Sequence, residues 1–300
     1  MQRIIYNKYN MLFSNMLFSE VMIMFTKRVL AIHDLCSFGR CSLTAVVPVI
    51  SAMGFQVCPL PTSLSSNNIT YPTCYSSNVL PDTRLFMEKW EEIGCSYQAI
   101  YSGFLSDFQQ IQIVREAINR FSDEDTLVVI DPVMSFDDHP LPSYTPDMIE
   151  NMRSLIRQAT VITPTLMEAC MLTGTPVVPS PPSLKDVLRL CHLLSSLGPR
   201  YIVITRIPAS DIKINSVSFD GLTHTYDECR IHRTRKCVDG LNDLFASVLT
   251  GALLRNHSIH MAMRLSLDFL SYALDYTRQA GSDAREGIQI EPCLRQLLKI

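Results

Sequence analysis

Arg28-Val29-Leu30-Ala31-Ile32-His33 (RVLAIH) reads as a short strand, and Ser42–Met53 (SLTAVVPVISAM) as an apolar, helix-length segment that opens at a Ser cap and stops at Gly54. Gln56–Pro61 is the next strand. The same alternation runs outward along the chain. Arg84–Ile93 reads as a helix, Tyr97–Tyr101 as a strand, Phe108–Phe121 as a helix, and Thr126–Ile130 (TLVVI) as a wholly apolar strand ending at Asp131-Pro132. The helix Pro146–Arg157, the strand Thr160–Thr163, the helices Leu166–Leu172 and Leu184–Leu197 and the strand Tyr201–Thr205 (YIVIT) follow. Strands that alternate with helices imply right-handed crossovers and an α/β fold, with a mainly parallel central sheet covered by helices on both faces. Residues 215–233 alternate more like antiparallel strands, and two long helices, Leu241–Leu253 and Ile259–Gln279, close the pattern. Ser63–Asn78 has no period and is rich in Ser, Asn, Thr and Tyr, so it reads as a loop long enough to act as a flap.

Composition narrows the partners. With 300 residues, 47% hydrophobic and 18% charged, the chain can bury one sizeable core, and a single domain over residues 28–300 is expected. A net charge of −3 gives no basic footprint, which disfavours nucleic acid and anionic membrane and puts small molecules first. The ten cysteines contain no C-x-x-C pair, and several stand inside apolar runs, as Cys58 and Cys170 do; they read as free thiols of a reducing cytoplasm. The seven histidines do not cluster with cysteine at zinc-ligand spacing. Residues 1–27 repeat Met-Leu-Phe-Ser at 11–14 and 16–19, broken by Asn15 and Glu20. They carry neither a small-residue cleavage site nor an 18-residue apolar run, so they read as a poorly ordered extension, with Met24 offering an internal start.

The stretch Cys237-Val238-Asp239-Gly240-Leu241-Asn242-Asp243-Leu244-Phe245-Ala246-Ser247 gathers a Gly, an Asn and an Asp directly before an apolar helical run. A helix start leaves its first amides unpaired and carries roughly half a positive charge, which suits a phosphoryl group in transfer. Asp243 would stand there as a base. On its own the pattern is more readily that of a plain N-cap at Asn242 or Asp243, and only other parts of the chain lift it above that.

In a parallel sheet, ligands bind at the carboxyl ends of the strands. Those positions hold Asp34, Thr62, Ser102-Gly103, Asp131, Thr163 and Thr205-Arg206. Asp131 and Glu168 are the carboxylates placed to orient Mg²⁺ through waters, as that small ion prefers.

Ile32-His33-Asp34, Phe38-Gly39-Arg40-Cys41-Ser42-Leu43-Thr44, Ser51-Ala52-Met53-Gly54, Cys58-Pro59-Leu60-Pro61-Thr62, Ile100-Tyr101-Ser102-Gly103-Phe104-Leu105, Asp131-Pro132-Val133-Met134, Ile162-Thr163-Pro164 and Glu168-Ala169 together resemble the pyridoxal/pyridoxamine kinases, a branch of the ribokinase-like kinases of vitamins and sugars. The resemblance runs from about residue 28 to the C-terminus. It implies a ribokinase-like three-layer sandwich, commonly a homodimer, and transfer of a phosphoryl group from ATP, with Mg²⁺, to the 5′-hydroxymethyl group of a B6 vitamer. By position, Asp243 resembles the catalytic base, and Gly240, Leu241 and Asn242 the anion hole. Asp131, Thr163, Glu168 and Thr205 resemble the groups around the metal and the phosphates, with Arg206 beside them, while Asp34, Thr62 and Asn68 match the substrate side.

The departures fall on the nucleotide and substrate sides. The family's Gly-Thr-Gly-Asp is Gly240-Leu241-Asn242-Asp243, so an Asn occupies a position expected to need a tight-turn glycine. Ser-x-His-Thr-Gly becomes Ser66-Asn67-Asn68-Ile69-Thr70, Ser135-Phe136 replaces Gly-Asp, Thr165 replaces an Asn, and Arg206 a Gly. Three expectations follow: a working kinase for B6 vitamers, a degenerate relative that binds such a ligand or a partner without turnover, and a hydroxymethylpyrimidine kinase.

Overall fold

The computed structural model describes residues 26–136, 139–178, 181–210, 213–232 and 239–299. The N-terminal extension up to residue 25, and Cys237 and Val238 of the stretch before Gly240, lie outside them. The chain order is β1 (Arg28–Cys36), α1 (Leu43–Ala52), β2 (Gln56–Ser65), β3 (Ser76–Asn78), α2 (Leu80–Glu92), β4 (Ala99–Ser102), α3 (Phe108–Phe121), β5 (Leu127–Ile130), the small hairpin β6 (Ser135–Phe136) and β7 (His139–Pro140), α4 (Pro146–Ile156), β8 (Val161–Ile162), α5 (Leu166–Thr173), α6 (Leu184–Ser195), β9 (Tyr201–Ser210), β10 (Lys213–Asp220), β11 (Thr225–His232), α7 (Leu241–Leu254) and α8 (Ile259–Ala280), followed by two short 3₁₀ turns.

The main sheet has the order β11-β10-β9-β8-β5-β4-β1-β2-β3. The six strands from β9 to β2 are mutually parallel, and antiparallel strands stand at both edges. Side chains of successive strand residues go to opposite faces, and both faces are covered. Leu30 and Ile32 of β1 enter the core under α2 to α6, while Val29 and Ala31 enter the core under α1, α7 and α8. This is why β1 and β5 read as unbroken apolar runs. The three-layer α/β sandwich expected from the alternation is therefore the fold.

Three boundaries moved for physical reasons. Ser63–Asn78 is not all loop: β2 runs on to Ser65 and pairs antiparallel with β3. At a sheet edge this polar hairpin buries little, so it carries no apolar signature. The helix expected from Arg84 starts a turn earlier, at Leu80, with a proline in its first turn. The strand expected to end at Thr205 continues to Ser210, across a bulge described below. β1 is followed on one side by β2 and on the other by β4, so the switch of winding direction falls beside β1. The carboxyl ends there open on the site.

Candidate active site

A cavity of about 560 Å³ opens at these strand ends, large enough for a small ring compound together with a phosphate chain. Asp34, Asn68, Arg206 and the whole run Gly240, Leu241, Asn242 and Asp243 line it. The remaining candidates, Thr62, Asp131, Thr163, Glu168 and Thr205, are buried behind its wall. The loop between β2 and β3 supplies Asn67, Asn68, Ile69 and Cys74 to the lining, so the segment read as a flap does cover the cavity.

Asp243 lies in the first turn of α7. Its Oδ2 accepts the backbone N–H of Ser42 at 2.9 Å, and its Oδ1 lies 4.0 Å from Nδ1 of His33. Burial raises its pKa to about 6 against the pull of the Ser42 amide, with the carboxylates of Asp34 and Asp239 adding to the rise. The N-cap of α7 is neither Asn242 nor Asp243 but Gly240, at φ +79°. A Cβ on Gly240 would come within 2.1 Å of the Arg40 carbonyl oxygen, so glycine is required there on both conformational and steric grounds. Asn242, in contrast, is a helical residue without positive φ. The glycine expected at that place is not demanded by the turn. The first turn of α7 therefore forms, and lines the cavity, with Asn242 in place.

Asp34 is half-buried, its carboxyl pushed upward by desolvation and pulled down by the Ser42 hydroxyl. It sits where β2 carries one residue more than β1, a bulge of the kind that re-aims side chains beside a site. Asn68 spends its amide on the fold: its Oδ1 accepts from the backbone N–H and the hydroxyl of Thr70, and its Nδ2 donates to the Arg285 carbonyl. It ties the covering loop to the C-terminal segment at the cavity rim.

On the metal side, Asp131 Oδ1 accepts the Thr163 hydroxyl at 2.9 Å, while its Oδ2 is buried without a partner. Desolvation, with Glu168 and Asp243 nearby, raises its pKa well above the ordinary range. Glu168 is otherwise engaged. Its Oε1 accepts from the amides of Met134 and Ser135 and from the Ser135 hydroxyl, and its Oε2 from the Thr165 amide. Thr165 and Glu168 form a capping box at the start of α5, which explains how a Thr stands in for an Asn at 165. The carboxylate expected near the metal thus braces the turn after Asp131. Among the described residues no group of three or more His, Cys, Asp or Glu could hold an ion alone. The donor set fits Mg²⁺ only in the form that ion favours, bound mostly by phosphates and water with one or two carboxylates. The orphaned Asp131 Oδ2 is the oxygen suited to face it.

Thr205 and Arg206 lie in a bulge of β9: Asn215 pairs with Ile207 and Val217 with Ile204, leaving both residues opposite Ser216. Arg206 has φ +55°, a left-handed conformation natural to glycine. It is the sole cation among the described lining residues, which also include Asp34, Asp107, Asp239 and Asp243.

Sequence reasoning gave no role to two residues. Asp239 lines the cavity, accepts the Thr70 hydroxyl at 3.1 Å, and has its carboxyl raised by burial. His33 is fully buried on the face of β1 toward α7. A histidine closing an otherwise apolar strand was the available signal.

A helix start and a carboxylate lining a cavity at the strand ends of a doubly covered parallel sheet are the setting of a phosphotransferase of ribokinase-like fold. The chain belongs to the phosphomethylpyrimidine kinase family, whose sequence profile matches residues 43–287. Within it, its relatives are pyridoxal kinases. It is 29% identical to the pyridoxine/pyridoxal/pyridoxamine kinase of Bordetella avium, over 85% of this chain and 86% of that one. It is 27% identical to the pyridoxal kinase of Arabidopsis thaliana, over 75% and 74%. A crystal structure of a phosphomethylpyrimidine kinase from Bacteroides thetaiotaomicron, determined with pyridoxal, shares 33% identity and superposes with a TM-score of 0.86, covering 91% of this chain and 96% of that one. The pyridoxal kinase of Lactobacillus plantarum superposes with a TM-score of 0.82 at 26% identity, covering 91% and 97%. Among the described residues no helix is long and apolar enough to cross a membrane.

Proposed function

We propose that this chain transfers the γ-phosphoryl group of ATP to the hydroxymethyl group of a B6 vitamer, forming a 5′-phosphate. The observation that carries the reading is the position of Asp243: at the start of α7 it lines the cavity, with one carboxylate oxygen fixed by the Ser42 amide. The free oxygen accepts the proton of the attacking hydroxyl, and a pKa near 6 leaves the group ionised at neutral pH yet basic enough to take that proton. The amides of Leu241 and Asn242 and the positive end of the α7 dipole receive the charge that spreads over the transferred group. Asp34 and Asn68 face the vitamer ring, and Thr205, Arg206, Asp131 and Thr163 form the nucleotide side. Asp131 would hold Mg²⁺ brought by the nucleotide, and that ion would supply the positive charge that offsets repulsion between the phosphates and the four lining aspartates. Catalysis then rests on positioning and electrostatics, with no covalent enzyme intermediate. The vitamers in the relatives' names support a B6 vitamer as the acceptor.

Two alternatives share the site. The family's name, that of a phosphomethylpyrimidine kinase, keeps the related hydroxymethylpyrimidine as a second substrate to test, and Phe136, standing in the lining where a carboxylate is usual, favours a binder without turnover. Purified protein with MgATP and pyridoxal, pyridoxamine, pyridoxine or hydroxymethylpyrimidine separates the three, with phosphorylated products resolved by chromatography and pyridoxal phosphate also read by absorbance. Turnover of a B6 vitamer with kcat/KM above that of the pyrimidine supports the proposal. Turnover of the pyrimidine alone, or of none, overturns it.

A further inference from the structure

His33 is fully buried, yet neither ring nitrogen has a hydrogen-bond partner among the described residues. Buried polar groups are nearly always paired, because an unpaired one forfeits about 1–3 kcal/mol, so an orphaned imidazole calls for a reason. Three contacts give it. The ring packs edge-on against Tyr101, with centroids 4.4 Å apart. It also fills the space over Gly103, where an added Cβ would lie 2.2 Å from Nδ1 and 2.4 Å from Cε1. Finally, Nδ1 points at Oδ1 of Asp243, 4.0 Å away, which is the oxygen that the Ser42 amide leaves uncommitted.

We propose that His33 is a positioning residue for phosphoryl transfer: as a neutral ring protonated on Nδ1, seated in the space that Gly103 leaves, it holds Asp243 Oδ1 in line with the cavity. The inference rests on the reading of Asp243 as the base. The ring is neutral because burial drives its pKa down to about 3. An Oδ1 that only accepts requires a donor, which selects the Nδ1–H tautomer. At 4.0 Å the contact is longer than a hydrogen bond, and bonds of this kind commonly close only when substrate is bound. The other titratable groups around Asp243 are Asp34 on β1, Asp239 before α7, Asp131 after β5, Tyr101 on β4 and Cys41 before α1. The three aspartates offer carboxyls; the Tyr101 phenol and the Cys41 thiol, kept neutral by burial, are also donors, and His33 is the neutral donor whose ring nitrogen lies 4.0 Å from Oδ1. Gly103 then has a function: any side chain there would drive the ring out of its seat.

Two measurements test this. In nitrogen-15 NMR of histidine-labelled full-length protein, with His33 assigned by its loss in His33→Phe, the ring should be neutral and protonated at Nδ1 between pH 7 and 8, where Asp243 is ionised, and its signal should move in Asp243→Leu. An Nε2–H tautomer, or a signal indifferent to Asp243→Leu, overturns the proposal, and this result does not depend on kinase activity. In steady-state kinetics, Gly103→Ala should lower kcat by about tenfold or more with KM for ATP and vitamer little changed, as loss of an interaction made at the transition state requires. In the His33→Ala background the same substitution should cost less than about twofold, because the clash is gone. Equal losses in both backgrounds overturn the coupling. If wild-type protein phosphorylates no vitamer while the NMR result holds, the functional reading fails and the His33–Asp243 pairing stands.

Discussion

The backbone amide of Ser42 donates to Oδ2 of Asp243 across 2.9 Å, joining the start of α1 to the start of α7 over 201 positions of sequence. Ser42 adopts φ +50° to do so, a strained conformation for a residue with a side chain. Such outliers persist where surrounding structure over-determines them, commonly at functional sites. On the proposed function the strain has a use: it fixes one oxygen of the carboxylate and leaves the other for the substrate.

Asp243→Asn should lower kcat by at least about a hundredfold, the range of a general base, with KM for the vitamer nearly unchanged. Single-turnover rates with saturating MgATP check it. A variant that keeps near-normal kcat removes Asp243 from the chemistry.

The same carboxyl sets a pH dependence. Only its ionised form accepts a proton, so kcat/KM should fall about tenfold per pH unit below a midpoint near 6 and level off above it. For stability the sign is opposite. A folded-state pKa raised above the ordinary carboxylate value means that the folded protein binds the proton more tightly, so this residue's contribution to stability declines as pH rises through that window. Asp243→Asn should therefore melt at or above the wild-type temperature at pH 8, while losing activity. A lower melting temperature there would show that the charge is better solvated than its burial implies.

Arg206→Gly separates charge from strain. Relief of a left-handed conformation gains roughly 1–2 kcal/mol and added chain freedom loses about 0.5–1, so stability should be unchanged or slightly higher. With the lining cation gone, KM for ATP should rise several-fold while that for the vitamer holds. A marked drop in melting temperature, or an effect confined to the vitamer, would remove Arg206 from the nucleotide side.

Gly240 and Asn242 should behave differently although both belong to the same motif. Gly240→Ala sets a Cβ against the Arg40 carbonyl and must shift the loop before α1, with loss of activity and several degrees of melting temperature. Asn242→Ala alters an ordinary helical residue, and Asn242→Gly costs up to about 1 kcal/mol of helix propensity with no turn to restore. An Asn242→Gly variant with markedly raised kcat/KM would show that the side chain, rather than the backbone, obstructs the phosphoryl group.

The α/β class was legible because it follows from local causes. Apolar runs such as Thr126–Ile130 can only be strands buried on both faces, and the helix Phe108–Phe121 announces itself through its period and its Asp107 cap. The helix start at Gly240–Asp243 was legible for the same reason, as a local pattern of backbone and charge. What sequence alone left open depended on contacts between distant segments. That Gly240 rather than Asn242 carries the turn depends on the Arg40 carbonyl pressing from another loop. That Glu168 spends both oxygens on the Met134–Thr165 turn, while Asp131 keeps one unpaired, is settled by where β5 and α5 meet. The bulge that aims Arg206 arises from the pairing of β9 with β10, and His33 becomes Asp243's neighbour only when β1 and α7 pack. Periodicity and propensity act over a few residues, so they set the elements; hydrogen bonding and desolvation act through space, so the state of each site residue was decided by tertiary structure.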